Sequence, residues 1–521
     1  MKSPQEAAAD LAAAYKLEKP EPVTPTYHFK TTPTLSPGMD FRDGVLYLTI
    51  PITRTVQKQI GKGKSAYAIE VQEPATACIT SDKEWFPFDL ENLTNRGFRF
   101  PSTFVMPTDA NWSPEAAEKF LTAQTEPPDV FDLYTKIRNI YETYIEFADE
   151  LMYDLVTTFV MYTYVYKLFS TTGYLHFNGT AASGKSQNLR ILKALAFNCN
   201  WASSMSASSL YRTVAGNPGT ICIDEAESFD GERGEELRRI LNAGYLDGSK
   251  VSRTGRDGDA NFTQEQFDTF SPKVIASINP LDNVIGSRCI IVAMRPAIRR
   301  IGEFNHDDIR WSQLRDQLYL FAMHHARPIA EHVELWNTTI RHEKAPDLVG
   351  RQWQVTQQFI VLADYIAGDQ LAVPFISFFN EYYKAQQASQ DATDKTRLLL
   401  MSLPRLMQQH DPWSGNFYPL KQVHEVLLGY VDEDQREYLK TRTVTKYLDV
   451  LGFKTKKPRS GGVHIQIPEE QVREAFKQRR VEPFPDDTEW LAGTVDYQRA
   501  VASFDEVTHG RPEGQSTSFG L

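Results

Sequence analysis

The pattern of hydrophobic and polar positions changes several times along the chain. From Gly44 to about Pro107, runs rich in Val, Ile, Tyr and Thr are separated by turn residues, which predicts β-strands. Between residues 128 and 170, apolar positions recur at helical spacing and predict two helices. Between 171 and 300, short apolar runs alternate with helical patterns, which is typical of a parallel α/β sheet.

The remaining segments have other patterns of hydrophobic and polar residues. After residue 300 the pattern is helical only, and a compact mixture of helix and strand follows near the C-terminus. Both ends of the chain lack periodicity, and the last forty or so residues are rich in acidic residues, Pro, Gly and Ser. We expect a multidomain protein with a disordered N-terminus at 1–35, a small β-rich accessory domain at 36–110, a helical linker at 128–170, an α/β core at 171–300, a helical segment at 301–385, a C-terminal αβ domain at 394–480 and an acidic flexible tail at 481–521.

Composition and charge exclude several classes of protein. The net charge of −11 over 521 residues excludes a uniformly basic nucleic-acid binder, although a local basic site is compatible with it. The four cysteines are scattered without a C-x-x-C pair, which argues against a disulfide framework or a structural zinc site. The most apolar long segment, residues 151–169, contains Asp154 and Lys167 and is therefore interpreted as a buried helix. We expect a cytoplasmic protein without a membrane partner.

One glycine-rich segment within the α/β region has the residue spacing of a phosphate-binding motif. It reads G-x-x-x-x-G-K-S and stands between an apolar run and a helical pattern, which is the context of a phosphate-binding P-loop. Lys185 would bridge the β- and γ-phosphates of ATP, and Ser186 would hold Mg²⁺. The residues predicted to bind the nucleotide through their main chain or side chains are Gly179, Thr180, Ala181, Ala182, Ser183, Gly184, Lys185 and Ser186.

Two other apolar runs end in polar residues suited to phosphate chemistry. Residues 219–223 lead into Asp224 and Glu225. Asp224 would hold Mg²⁺ beside Ser186, and Glu225 would orient and polarise the attacking water. Residues 273–278 lead into Asn279, which would help to fix that water. The sequence therefore predicts a catalytic set that includes Lys185, Glu225 and Asn279.

Arg288 completes the predicted catalytic set. It precedes the apolar run 289–294, where it is poorly placed for the nucleotide of its own subunit. It could instead reach the γ-phosphate of a neighbouring subunit and act as an arginine finger in trans. A surface arginine in a salt bridge is the alternative.

These motifs, in this order and at short spacing, resemble an AAA+ ATPase. The stretches NAGYLDGSKVSRT, FSPKVIASI and SRCIIVAMRP are similar to superfamily 3-type helicases and to replicative ATPases of phages, plasmids and mobile elements. The resemblance covers roughly 129–368 and implies a five-stranded parallel core, a helical lid at 301–385, and a ring, usually a hexamer, with ATP at subunit boundaries. It also implies that Arg351, in the segment LVGRQW, is a second nucleotide sensor. The β-rich N-terminal segment has no counterpart in this resemblance.

A basic insertion lies between the runs that end at Asp224 and Asn279. Turn residues flank a short β-like run, which predicts a hairpin with its tip near Gly255 and Gly258. In the helicases that the chain resembles, a hairpin here projects into the channel and grips one DNA strand through phosphate contacts. An exposed basic loop without a ligand is the alternative. The predicted contacts with single-stranded DNA are Lys250, Arg253 and Arg256.

The C-terminal αβ segment carries a second basic region. Two short helical runs are followed by two strands around a basic, glycine-rich tip, an order that looks like a winged helix. Residues 435–480 hold twelve Lys and Arg against five Asp and Glu, which reverses the sign of the whole chain. Winged helices also mediate protein contacts, so this alternative stays open. The predicted contacts with duplex DNA are Arg442, Lys446, Lys456, Lys457 and Arg459.

Together these observations predict an enzyme that hydrolyses ATP with Mg²⁺ as a homo-oligomeric DNA motor. The expected function is that of a replicative DNA helicase of a phage or mobile element, translocating on single-stranded DNA. One alternative is a machine that remodels protein or protein–DNA assemblies. Another is a non-motor ATP-dependent switch, such as an initiator or a defence sensor.

Overall fold

The computed structural model describes residues 32–60, 67–108, 111–202, 206–224, 231–256, 262–393, 395–412, 415–431, 436, 439–456 and 462–479. The chain divides into two compact units, Met1–Phe379 and Asn380–Leu521. The tail predicted to be flexible, and the predicted disordered N-terminus up to residue 31, lie outside the described residues.

The first unit begins with an antiparallel sheet of four strands in sequential order. The strands are β1 (Met39–Arg42), β2 (Val45–Ile60), β3 (Tyr67–Thr80) and β4 (Trp85–Pro87), followed by helices α1 (Leu90–Asn95) and α2 (Pro114–Leu121). The segment after α1 is joined to the rest of the unit by main-chain and side-chain hydrogen bonds. Val105 N donates to Gly216 O at 2.9 Å, and Thr103 Oγ1 donates to Ala215 O at 3.1 Å.

Two helices follow, as the periodicity of residues 128–170 predicts. They are α3 (Val130–Tyr144) and α4 (Leu151–Thr163). Asp129 caps α3 by accepting a hydrogen bond from Asp132 N at 2.7 Å. Almost every side chain of α4 is buried, which explains its apolar composition. Among the described residues, none of the helices has the length and apolar character needed to cross a membrane.

The centre of the first unit is a five-stranded parallel sheet, which confirms the α/β prediction. Its strand order is β11-β5-β10-β7-β6, and every neighbouring pair is parallel. In chain order the elements are β5 (Tyr174–Gly179), α5 (Lys185–Leu195), β6 (Asn200–Ala202), α6 (Ala207–Gly216), β7 (Ile221–Ile223), α7 (Gly231–Ala243), β8 (Lys250–Arg256), β9 (Phe262–Asp268), β10 (Lys273–Ser277), α8 (Asn283–Gly286) and β11 (Cys289–Met294). We call the edge at which these parallel strands end the carboxyl edge, and the opposite edge the amino edge.

Burial explains why these apolar runs form a parallel sheet. All five residues of β10 and the first four of β5 are buried. A strand that is buried on both faces has an almost continuous apolar sequence instead of an alternating one. α5 packs through Leu189 and Leu192, as its helical pattern predicts. The segments that leave β5, β7 and β10 are thus attached to a buried sheet.

From residue 301 to 393 the described chain contains helices and no strand, in agreement with the sequence pattern. These are α9 (Ile309–Leu335), a π-helical turn (Trp336–Ile340), α10 (Arg341–Lys344), α11 (Arg351–Ala367) and α12 (Asp369–Thr393). The apolar face of α9 is buried at Trp311, Leu314, Leu318 and Phe321. The boundaries of a separate helical lid stay a prediction.

The second unit contains helices around a small antiparallel sheet with strand order β12-β14-β13. Its elements are α13 (Lys395–Gln409), β12 (Phe417–Pro419), α14 (Leu420–Leu428), α15 (Thr441–Val450), β13 (Lys454–Lys456), β14 (His464–Gln466) and α16 (Glu469–Arg479). Two helices and two strands lie where the sequence predicts them, whereas β12 was not predicted. One apolar core that includes Leu403, Val423, Leu448 and Ile465 joins these elements.

Candidate functional site

The glycine-rich segment forms a tight loop, residues 179–186, between β5 and α5. We call it the phosphate loop. Gly184 has a φ of 89° and Ala182 a φ of 59°, both in the left-handed region. A β-carbon added to Gly179 would lie 2.3 Å from the carbonyl oxygen of Met294. Because the first N–H groups of a helix have no partner within it, the loop and the start of α5 gather several main-chain donors.

The side chains of the phosphate loop add polar groups to this set. Lys185 Nζ donates hydrogen bonds to Gly179 O at 2.6 Å and Thr180 O at 2.7 Å, so the ammonium group lies across the loop. Ser183 Oγ is buried and has no hydrogen-bond partner among the described residues. Ser186 is exposed in the first turn of α5. A curled backbone, an ammonium group and a buried hydroxyl without a partner fit a bound phosphate with its metal ion.

Two other strands bring polar residues to the same edge of the sheet. The registers of β5, β10 and β7 place Asn279 and Asp224 at the carboxyl edge, where the phosphate loop begins. Asp224 is half-buried, and its N–H donates to Ala202 O at 3.2 Å. Asn279 is exposed. Glu225, the predicted water-polarising residue, lies outside the described residues.

Asn178 fixes the turn that carries Asn279, and the sequence analysis did not identify it. Its Nδ2 donates to Ile278 O at 3.0 Å and to Asn279 O at 3.2 Å. Ser277 Oγ donates to Asn279 O at 2.6 Å, and buried His176 bonds to the same hydroxyl at 2.7 Å. The available signal was a polar residue at the end of an apolar run, directly before the first glycine of the loop. Asn178 therefore joins β5 to the end of β10.

Arg288 lies at the amino edge of the sheet, away from the phosphate loop. It immediately precedes β11, which runs parallel to β5 until Met294 is opposite Gly179. At 3.3 Å per residue, the length of β11 corresponds to about 17 Å. Arg288 is only 8% exposed, and its Nε donates to Asn242 O at 3.2 Å. The side chain is therefore held within its own chain, and its trans role stays a prediction.

Arg351 also lies at the amino edge, where its guanidinium group approaches the same aromatic ring as that of Arg288. The predicted second sensor is the first residue of α11, and its Nη2 donates to Tyr245 OH at 3.3 Å. The Tyr245 ring centroid is 4.9 Å from the Arg288 guanidinium and 5.0 Å from that of Arg351. The structure thus does not bring Arg351 to its own chain's loop. The sequence does not identify Tyr245 as a site residue, because its only distinguishing feature there is that it follows Gly244 at the end of a predicted helix.

The basic insertion is an antiparallel hairpin, as predicted, but its cations have different surroundings. β8 and β9 pair along their whole length, and the tip lies outside the described residues. Lys250 is exposed. Arg253 forms an ion pair with Glu236 and lies 5.1 Å above the Tyr211 ring, so it is bound to its own chain. The side chain of Arg256 is not among those described.

In the second unit, two of the predicted DNA-binding cations share one exposed helical face. Arg442 and Lys446 are four residues apart on α15, and both are exposed. Arg442 also lines a groove of about 700 Å³ between the starts of α14 and α15 and the segment before β14. Lys456 ends β13 with its side chain undescribed, whereas Lys457 and Arg459 lie outside the described residues.

Comparisons with known proteins were made for the sequence and for the fold. None of the protein-family models and none of the curated proteins matches the chain. Similar solved structures include a full-length MCM homolog from Methanopyrus kandleri, with 13% identity, a TM-score of 0.33, and coverage of 65% of this chain and 77% of that one. The C-terminal region of NrS-1 has 11% identity, a TM-score of 0.32, and coverage of 75% and 94%. JCV helicase has 12% identity, a TM-score of 0.19, and coverage of 53% and 74%. Scores this low establish neither a shared fold nor a shared function.

Proposed function

We propose that the chain is an ATP- and Mg²⁺-dependent DNA motor that works as a homo-oligomer. The observation that carries the proposal is the gathering of a phosphate loop, Asp224 and Asn279 at one edge of a parallel sheet. Loop geometry alone supports phosphate binding, whereas an acidic and an amide side chain beside it support hydrolysis. The resemblance in sequence motifs extends the proposal to a replicative helicase of a phage or mobile element.

The residues at the carboxyl edge divide the chemical work. Lys185 would exchange its two carbonyl partners for phosphate oxygens, because a hydrogen bond between ions is stronger than one to a neutral carbonyl. Ser186 and Asp224 would hold Mg²⁺, which supplies neutralisation of the phosphate charge when it is bound. Glu225 would polarise the attacking water, and Asn279 would help to fix its position.

The amino-edge arginines support a site that two subunits complete. Within one chain, Arg288 is separated from the phosphate loop by the length of β11. In a ring, the amino edge of one copy can face the carboxyl edge of the next, so Arg288 and Arg351 would approach a neighbour's ATP. We propose a hexamer, the number that the resemblance implies.

Two basic surfaces support a DNA substrate. Lys250 and Arg256 belong to a hairpin that leaves the ATPase core. This hairpin would hold a single DNA strand inside the channel of the ring. In the second unit, the order of helices and strands supports a winged helix, with α15 presenting Arg442 and Lys446 to duplex DNA. The hairpin would move along the single strand, whereas the surface of α15 would keep the motor bound to the duplex.

One observation favours the remodelling machine as a second candidate. The ion pair of Arg253 with Glu236 removes one of the three hairpin cations from contact with DNA. A hairpin with fewer available cations would hold a strand less tightly. It could instead push on a protein partner of the ring.

The proposal is tested by ATP hydrolysis and strand displacement with purified protein. Lys185→Ala should lose ATP binding, whereas Glu225→Gln should bind ATP but hydrolyse it about 100-fold more slowly or worse. Lys193→Ala is the matched control, because Lys193 is on the same helix but donates to Cys199 O. A wild-type rate in Glu225→Gln would contradict the catalytic assignment. ATP hydrolysis without displacement of a forked duplex would favour the remodelling machine.

A further inference from the structure

The ring of Tyr245 is approached by two arginines, one of which, Arg288, also donates hydrogen bonds to Asn242 O and Val284 O. Within the described residues, neither Arg288 nor Arg351 forms an ion pair with a carboxylate. Their guanidinium groups are instead 4.9 Å and 5.0 Å from the Tyr245 ring centroid. The Tyr245 hydroxyl also accepts a hydrogen bond from Arg351 Nη2 at 3.3 Å. A cation within about 6 Å of an aromatic face is attracted by the ring.

The electrostatics of this cluster explain why the ring matters. Two guanidinium groups at one place repel each other. Burial, and then the charge of Arg351, lower the pKa of Arg288. The negative face of the Tyr245 ring offsets part of this cost, and it does so for both arginines at once. Without the ring, the two cations would lose the aromatic partner that they share, and Arg351 would also lose its hydrogen bond to the hydroxyl.

The end of α7 contributes a second source of negative potential. Its last carbonyl groups point towards cationic and hydroxyl donors, and the C-terminal end of a helix favours positive charge. The bonds run from Tyr174 OH to Leu241 O at 2.8 Å, from Arg288 Nε to Asn242 O at 3.2 Å, and from Lys273 Nζ to Gly244 O at 3.2 Å. Tyr245 follows this turn directly, so its ring is held by the same helix end that binds Arg288.

The main chain around Tyr245 connects the cluster to the DNA-binding hairpin. Tyr245 O accepts a hydrogen bond from Thr172 N at 2.8 Å, and Asp247 N donates to Ser170 O at 2.9 Å. These bonds fix the segment against the residues that precede β5. β8 then begins at Lys250, only five residues after Tyr245. A displacement of the two arginines would therefore be transmitted to the base of the hairpin.

We propose that Tyr245 is a positioning residue that holds Arg288 and Arg351 as a pair for the nucleotide of the neighbouring copy and links them to the hairpin. This inference rests on the proposed function, since it assigns the arginines a role at a subunit boundary. It adds a residue that neither binds nucleotide nor touches DNA. Its effect on hydrolysis passes through the two guanidinium groups.

The test compares Tyr245→Leu, which removes the aromatic face, with Tyr245→Phe, which keeps it. For Tyr245→Leu we expect kcat for ATP to fall about tenfold, as for loss of a cation–π contact at two arginines. The KM for ATP should stay within about twofold, because the cluster is about 17 Å of strand away from its own loop. Stimulation of hydrolysis by single-stranded DNA should be lost. Tyr245→Phe should rescue both properties.

Mixing subunits provides a measurement that a merely structural role would not change. Tyr245→Leu copies retain their phosphate loops, and Lys185→Ala copies retain their arginine pairs. An equal mixture should reach about a quarter of the wild-type rate if the pair acts on the neighbour, against about one-twentieth if it acts within its own chain. Tyr153→Leu is the matched control, because its ring lies 5.5 Å from the Arg138 guanidinium in an unrelated helix pair.

The outcomes separate this inference from the proposed function. If the wild-type protein does not hydrolyse ATP, both are wrong. If it does, but Tyr245→Leu keeps its kcat or Tyr153→Leu loses as much, only the role of Tyr245 is wrong. The absence of a gain on mixing also overturns it. Should Tyr245→Leu fail to fold, Tyr245→Met gives the same comparison with an unbranched side chain.

Discussion

Replacing Arg288 with alanine would test whether two copies of the chain complete the proposed ATPase site. Arg288 precedes β11, and the register of β11 with β5 leaves the whole of that strand, about 17 Å long, between Arg288 and the phosphate loop of its own chain. We therefore expect Arg288→Ala to bind ATP with nearly wild-type affinity. Its turnover should fall by about 10³-fold or more, the usual effect of removing an arginine from a transferring phosphate.

The energies involved limit how far this arginine can move from its present contacts. Arg288 donates hydrogen bonds to Asn242 O, to Val284 O and, at 3.4 Å, to Ser287 Oγ, and its guanidinium group lies against the Tyr245 ring. Releasing all of these contacts would cost roughly 3–6 kcal/mol. An arginine at the γ-phosphate contributes about 4–7 kcal/mol to the transition state. Because the two amounts are comparable, the trans contact is most favourable if a small movement keeps the ring contact.

The decisive assay mixes Arg288→Ala with Lys185→Ala copies. In an equal random mixture, about a quarter of the boundaries pair an intact phosphate loop with an intact arginine, whatever the size of the ring. The mixture should therefore recover about a quarter of the wild-type rate, although each variant alone is inactive. Arg327→Ala, which changes an exposed arginine on α9, should leave the rate unchanged.

Two results would contradict the trans assignment. One is a mixture that stays as inactive as its components, provided that sedimentation shows mixed oligomers. The other is normal turnover by a demonstrably monomeric wild-type protein. A lower melting temperature of Arg288→Ala would point to the bond with Asn242 O as a structural role. Arg288→Gln, which retains a donor for that carbonyl, then separates stability from catalysis.

Two further predictions concern DNA. Lys250→Ala should flatten the slope of log K against log salt for single-stranded DNA by about 0.7. Arg253→Ala should change that slope little, because the Arg253 side chain is paired with Glu236. Equal effects of the two substitutions would contradict the assignment of Lys250, but not Arg253, to strand binding. Replacing Arg442 and Lys446 together should lower the duplex slope by about 1.8, and Arg473→Ala, whose side chain pairs with Glu469, is the control; an unchanged slope would exclude this face of α15 from duplex binding.

The elements at the carboxyl edge were predictable because each is contained in a continuous stretch of sequence. The phosphate loop follows an apolar run and precedes a helical pattern, and Asp224 and Asn279 follow the ends of two short strands by one and two residues. In a parallel sheet, strand ends share an edge, so the sequence predicts their meeting without any long-range information. The resemblance implied five parallel strands, whereas the order of those strands was not predicted.

The cluster at the amino edge was not predictable in this way. Tyr245, Arg288 and Arg351 are far apart in the sequence, and their contacts depend on how α7, β11 and α11 are placed. For the same reason the sequence shows Arg253 but not its partner Glu236. Charge patterns locate cations, whereas burial and ion pairing, which decide their availability, are properties of the fold.

The N-terminal sheet shows a different limit of the sequence pattern. The pattern from Gly44 to about Pro107 predicts strands without fixing their ends, and β2 extends over sixteen residues to Ile60. Its described outer part is mostly exposed, so alternation between core and solvent does not mark it. Pro74 lies within β3 opposite Thr53, where β3 has no second neighbouring strand. A proline is tolerated there because its missing N–H would face away from the ladder.

The division of functional groups between two edges of the sheet has a consequence for the order of events in a ring. In the proposed function each chain would bind ATP at the carboxyl edge, whereas its hairpin begins five residues after Tyr245, which lies with the amino-edge arginines. If the amino-edge arginines respond to the neighbour's nucleotide, then the hairpin of one copy follows the ATP of the next copy rather than its own. Hydrolysis at one boundary would alter DNA contact one subunit away. Such a linkage favours sequential over independent action of the subunits, because the nucleotide bound by one copy would control the hairpin of the adjacent copy.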